Sequence, residues 1–124
     1  MALPWVRLDT AMPRNHKILS LLEQKDGYRA AFAWACCLAY SGEQGTGGFI
    51  PRNALPFVHA RSSEINKLVE ARLLIPTENG GGWDIHDWAE FQPTTEEHER
   101  RSQRARDAAA TRWAKKSGQS GVAR

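Results

Sequence analysis

The stretch "YRAAFAWACCLAY", Tyr28 to Tyr40, limits what this chain can fold into more than any other. Arg29 is its only charged residue, yet the run is too short for a bilayer, which takes ~20 apolar residues. Tyr28, Phe32, Ala35 and Leu38/Ala39 recur at helical spacing, and Ala31 and Trp34 widen that stripe. A helix apolar nearly all round belongs at the centre of a core. Asp26 stands at its N-cap, and Gly42 where a left-handed glycine ends a helix. Cys36 and Cys37 are adjacent, so their side chains diverge on a helix and a bridge between them is strained. Reduced thiols in a reducing compartment are expected.

The flanking segments are short and sharply punctuated. Pro13 and Asn15 precede "HKILSLLEQ", whose Ile18, Leu19, Leu21 and Leu22 give a first helix capped by Asn15 and ended at Asp26-Gly27. After the central helix, "GEQGTGGFIP" is too rich in glycine for a helix, so Phe49-Ile50 reads as a very short strand stopped by Pro51. In "RNALPFVHA" a cap at Asn53 puts Pro56 in the first turn of a short helix, where a missing N–H costs nothing. "SSEINKLVEARLL" gives a helix capped by Ser62, with Glu64 at the positive dipole end and Ile65, Leu68, Val69 and Leu73 as its buried stripe. Ser63, Asn66, Lys67 and Glu70 share the opposite face.

"LLIPTE" and "WDIHDW" flank "NGGG", the pattern of a β-hairpin. Alternation sends Trp83 and Ile85 to one face and Asp84, His86 and Trp88 to the other, with Trp88 and Phe91 closing the domain. Thr94 or Thr95 caps a last helix with Glu96 and Glu97 in its first turn. Its only large apolar residue is Trp113, so it cannot bury a face alone. The expected organisation is a domain over 1–93, a basic helical tail over 94–117 and a flexible end over 118–124. The fold class is mainly α with a small β-hairpin. The order helix, helix, short strand, helix, helix, hairpin is the connectivity of a winged helix-turn-helix.

Charge divides the chain. Residues 1–98 carry nine Lys/Arg against twelve Asp/Glu, whereas 99–124 carry eight basic residues against Glu99 and Asp107. A mildly acidic body with a basic tail points to a polyanion, nucleic acid first. On the Ser62–Leu74 segment, Ser63, Asn66 and Lys67 suit a major groove, with Arg61 and Arg72 near phosphates. Asn bonds adenine bidentately, and Lys donates to guanine or phosphate. The competing reading is an ordinary solvated face, which Glu70 favours by repelling phosphate. Arg100, Arg101, Arg104, Arg112, Lys115 and Lys116 suit sequence-independent phosphate binding, or else make a solubilising tail. Arg7, Arg14, His16 and Lys17 around the first helix start are further phosphate candidates.

Catalytic and metal chemistry find little support. Asp84, His86 and Asp87 do not converge on an extended strand. "HERRS" has Ser102 where a zinc protease needs its second His. No cysteine pair has zinc-finger spacing, and no phosphate-cradling Gly-Lys-Ser/Thr loop is present. We therefore expect no catalytic residues, no metal and no cofactor. The start "MALPWVRLD" lacks the basic and apolar regions of a signal peptide, so a soluble, cytoplasmic protein is expected.

Taken in order, "WVRLDTAMPRNHKILSLL", "GFIPRNAL", "LVEARLL", "GGWDIHDWAEFQP" and "AAATRWAKK" resemble small phage and prophage helix-turn-helix proteins. These are replisome-organiser-like and related to the N-terminal winged-helix domain of DnaD-type replication initiators. The resemblance implies a winged-helix fold, double-stranded DNA as ligand, and a role in phage replication initiation or gene regulation in a bacterial host. Replisome organisers are usually longer, so a short regulator or accessory factor is the closer expectation. A homodimer reading two half-sites is a further expectation, and a host or phage replication or transcription protein is the alternative partner.

Overall fold

The structure is a computed structural model describing residues 2–92 and 95–123, the side chains of 95, 98 and 115–123 excepted. It is mainly helical with one small three-stranded antiparallel sheet. The chain divides into two compact units, Met1–Gln92 and Pro93–Arg124.

A 3-10 turn over Met12–Arg14 leads into α1 (His16–Leu22), where the Asn15 side chain accepts the Lys17 N–H at 2.8 Å as its cap. Ile18 and Leu21 are buried. Asp26 holds the N-cap position of α2 (Gly27–Gln44), but its side chain caps nothing and its backbone is left-handed, φ 58°. Gly27 makes the tight α1–α2 turn possible: a Cβ there would lie 2.1 Å from the Leu21 carbonyl oxygen.

Helix α2 is central as expected, packing against α1, against α3 (Ser62–Glu70), and against the Phe49–Pro51 strand and Arg52–Val58 turn that precede α3. Its buried face is not the expected one. Ala30, Ala33, Cys37 and Ser41 are inside, along with Leu38, while Tyr28 is 75% and Phe32 59% exposed and Ala35 and Ala39 face outward. The reason is steric: a helix crowded on several sides is approached most closely over small side chains, and the bulky aromatics are displaced outward. Gly42 likewise is internal and buried against Val6, and the left-handed C-cap falls at Gly45, φ 68°. Burial pushes the Cys37 thiol up to about 12, the neighbouring Cys36 adding to it, and burial raises Cys36 as well; both are free.

Strand β1 (Phe49–Pro51) runs into a 3-10 helix over Arg52–Val58 whose N-cap is Pro51 rather than Asn53. Pro56 therefore lies inside it, where the missing N–H and the ring are incompatible with a regular α-helix but are accommodated by this tighter, shorter turn. Next, α3 (Ser62–Glu70) buries Ile65 and Leu68, with Val69 half-buried. The helix stops before Leu73, which is buried from the following turn, where Arg72 is left-handed at φ 62°.

Strands β2 (Leu74–Pro76) and β3 (Gly82–Ile85) form the expected hairpin, and β1 joins it in the order β1-β3-β2. Ile50 pairs with Trp83, Pro51 with Gly82 and Leu74 with Ile85. Pro51 and Pro76 thus end edge strands, the places where a proline leaves a ladder intact. Gly82 cannot carry a side chain, since its Cβ would meet the Ile50 carbonyl at 2.1 Å.

Trp83 and Ile85 face inward as alternation requires. The strand ends at Ile85, however, and left-handed Asp87 (φ 59°) starts α4 (Trp88–Phe91). Trp88 is half-buried and Phe91 is 49% exposed. Closure falls instead to buried Gln92, whose side chain accepts from the Arg7 N–H at 2.7 Å and donates to the Arg7 carbonyl at 2.9 Å.

The second unit is α5 (Thr95–Ala123), which continues through the segment expected to be a flexible end. The cap expected at Thr94 or Thr95 lies outside the described residues, as do the side chains of Lys115 and Lys116.

Candidate nucleic-acid interface

The site is built outward from a buried carboxylate. Glu64, third in α3, is completely shielded from solvent. Its Oε1 accepts the Arg61 backbone N–H at 3.0 Å and Arg61 Nε at 2.9 Å; Oε2 accepts Arg61 Nη2 at 2.9 Å and the Ser63 hydroxyl at 2.6 Å. Arg29 Nε stands 3.4 Å away. The Arg61 hydrogen bonds, helped by Ser63, hold the Glu64 carboxyl well below the usual carboxylate range against the opposing effect of burial. The N-terminus of α3 is therefore organised by Glu64 reaching back to Arg61, and Ser62 is not its cap.

This arrangement sorts the candidates on α3. Arg61 and Ser63, both exposed, direct polar groups at Glu64 and so help fix the first turn of the helix. Asn66 is exposed and Lys67 half-buried, and neither side chain has a partner among the described residues. They are presented on a helix locked on its far side by Ile65 and Leu68. Glu70 shares their face.

At the C-terminal end of α3 the structure brings together residues that sequence spacing separates. Lys17 Nζ donates to the Arg72 carbonyl at 3.4 Å, and His16, Lys17, Glu70 and Arg72 line one shallow groove. Arg72 is thus grouped with two of the first-helix candidates. Arg7 is drawn elsewhere, with Nη1 donating to the Phe91 carbonyl at 3.3 Å.

The hairpin tip is closed by its own hydrogen bonds. The Asn79 side-chain oxygen accepts from Gly81 N–H and the Thr77 hydroxyl, each at 2.9 Å, and Gly80 is left-handed at φ 72°. Arg52, which sequence reasoning passed over, anchors the tip. Its Nε donates to the Gly80 carbonyl, its N–H to the Gly81 carbonyl at 3.1 Å, and its guanidinium lies 4.9 Å from the Trp83 ring centroid. The only sequence signal was its place directly after Pro51, at the end of a strand.

His86 and Asp87 meet directly, Nδ1 to Oδ2 at 2.8 Å, because the left-handed turn at Asp87 replaces the extended backbone that would have separated them. Among the described residues no three His, Cys, Asp or Glu side chains are grouped to hold a metal ion. A cavity of about 200 Å³ lies beside this pair, with Arg7, Lys17, Trp34, Trp88 and Gln92 in its walls.

On α5, Arg100, Arg101, Arg104 and Arg112 are all exposed. At 100° per residue they span about 120° of the helix circumference, so they form one face. Arg100 also sits 3.6 Å from exposed Glu96, a pair that solvent screens. Trp113 is 68% exposed.

No family model matches the chain, and neither a curated protein nor a solved structure matches it. Among the described residues, no helix is long and apolar enough to cross a membrane.

Proposed function

We propose that this chain is a cytoplasmic, non-catalytic winged helix-turn-helix protein that binds double-stranded DNA, serving phage replication initiation or gene regulation. The observation carrying the proposal is the face of α3, where Asn66 and Lys67 stand unpartnered on a helix whose other side is fixed by Ile65, Leu68 and the Glu64 network. Pre-ordered donors suit base-edge reading because ordering them on binding costs little. The element order and the β1-β3-β2 sheet support α3 as the recognition helix and the β2–β3 hairpin as the wing.

Around α3, Lys17 and Arg72 supply phosphate contacts at its C-terminal end, and the basic face of α5 adds sequence-independent attraction. The wing carries Glu78 and Asp84, both exposed, and its Asn79 carbonyl is engaged within the turn. It therefore contributes little beyond shape.

The test is a gel shift with random duplex DNA at two salt concentrations. Binding at low salt that weakens steeply at high salt is the expected result. No shift at low salt contradicts the proposal. It would leave a protein-interaction module for a host or phage replication or transcription protein, which the acidic body and exposed aromatics of the first unit favour.

A further inference from the structure

The outward face of α2 is the largest feature that the DNA reading leaves unused. Tyr28, Phe32, Ala35 and Ala39 recur at intervals of four, three and four residues, the spacing of a helix–helix seam. Tyr28 is 75% and Phe32 59% exposed, and neighbouring Phe57 is 71% exposed. The seam is graded, with its two large rings in the N-terminal half and two alanines in the C-terminal half.

The surroundings repeat that division. Two shallow grooves meet at Ala39 and Glu43, one walled by Tyr40 and Phe57, the other by Trp5. The Tyr40 and Phe57 rings stack at 6.5 Å. One helix thus carries projecting rings at one end and a ring-walled depression about 16 Å away, eleven residues on at 1.5 Å each.

We infer that a second copy of this chain docks on this face, the two α2 helices antiparallel about a two-fold axis between Phe32 and Ala35. In that register Tyr28 of each copy meets Ala39 of the other, and Phe32 meets Ala35, so every large residue faces a small one. A parallel pair would oppose ring to ring and leave both depressions empty. Charge is compatible with the same register: Lys25 lies in the α1–α2 turn, at the end of the helix that approaches Glu43 in the last turn of the second copy, twice over. Only a two-fold contact satisfies both ends of the seam at once and closes on itself. The exposed parts of Tyr28, Phe32 and Phe57 alone offer on the order of 400 Å² per copy, half of the ~800 Å² a stable interface takes from each partner. The alanines, Cys36, Tyr40 and the N-terminal segment around Trp5 border them. This inference does not rest on the DNA reading.

Sedimentation equilibrium of the full chain, from micromolar to submillimolar concentration, is the test. Wild type is expected to be a dimer in the micromolar range. Ala35→Glu, at an exposed helical position where Glu is tolerated, weakens association by roughly a hundredfold or more, since two unpaired carboxylates meet near the axis. Its far-UV circular dichroism stays that of wild type. Lys25→Glu weakens association, and Glu43→Lys in the same chain restores it. A wild type monomeric throughout that range, or an Ala35→Glu chain with wild-type association, overturns the inference. A double charge variant as weak as Lys25→Glu alone overturns it by removing the antiparallel register.

Discussion

Helices α3 and α5 both expose basic and polar residues suited to DNA, yet they present different chemistry. In α3, Ile65 and Leu68 are sealed in the core, and Glu64 ties the first turn to Arg61, Ser63 and Arg29. Along α5 the exposed surface is dominated by arginines, and Gln103 Nε2 donates within the helix to Asp107 Oδ1 at 2.8 Å. The difference separates two kinds of recognition. A helix fixed from behind can offer directional donors at set positions, whereas a row of exposed arginines offers charge. Under the proposed function, reading sequence belongs to the first and phosphate attraction to the second.

The contrast breaks most sharply at Leu68. Replacing it with Ala removes a fully buried side chain, and unfolding free energy should fall by about 3 kcal/mol. Thermal or urea unfolding measures this, and DNA binding should weaken in parallel. An unchanged unfolding midpoint would mean that α3 is not held by its core face.

Glu64→Gln comes next, at about 2 kcal/mol, kept modest because Arg61 and Arg29 are each more than half exposed and solvent screens them. Its pH dependence gives a second check. The folded carboxyl lies below its ordinary value of 4.5, so its stabilisation is complete above that value and fades as pH falls beneath it. Wild type should lose stability below pH 4.5 while Glu64→Gln stays flatter, and the two curves should converge in acid. Parallel curves would show that Glu64 is not the group responsible.

The smallest effect per residue is expected on α5. Changing Arg100, Arg101, Arg104 and Arg112 to Gln should leave unfolding of the first unit unaltered. The slope of log affinity against log salt should become shallower by about 0.9 for each phosphate contact removed. A slope equal to that of wild type would make the tail a solubilising helix and leave binding to α3 alone.

Much of this organisation was legible in the residues. The Asn15 cap, the centrality of α2, the Phe49–Ile50 strand and the Gly-rich hairpin each follow from local chemistry that tertiary packing reinforces. What failed were choices between faces and between equivalent residues. Hydrophobicity alone puts Tyr28 and Phe32 in the core, whereas Ala30, Ala33 and Ser41 lie inside, since close approach of elements favours small side chains. Gly42 and Gly45 are alike in sequence, and only packing against Val6 assigns one to the helix and the other to its cap. In the candidate site, Asn66 and Lys67 were readable from spacing. The role of Arg61 was not, because the burial of Glu64, with Arg29 of another helix 3.4 Å away, is a tertiary feature. The Lys17–Arg72 pairing and the Arg52 anchor also rest on contacts across long sequence separations, 55 and 28 residues, for which no local pattern exists.

The proposed function rests on α3 reading sequence through Asn66 and Lys67. Selection of duplexes from a random pool by wild type and by the Asn66→Ala, Lys67→Ala double variant tests it directly. Wild type should enrich a defined motif that the double variant, still binding at low salt through α5, fails to enrich. An unenriched pool from wild type, or the same motif recovered by both proteins, would contradict it.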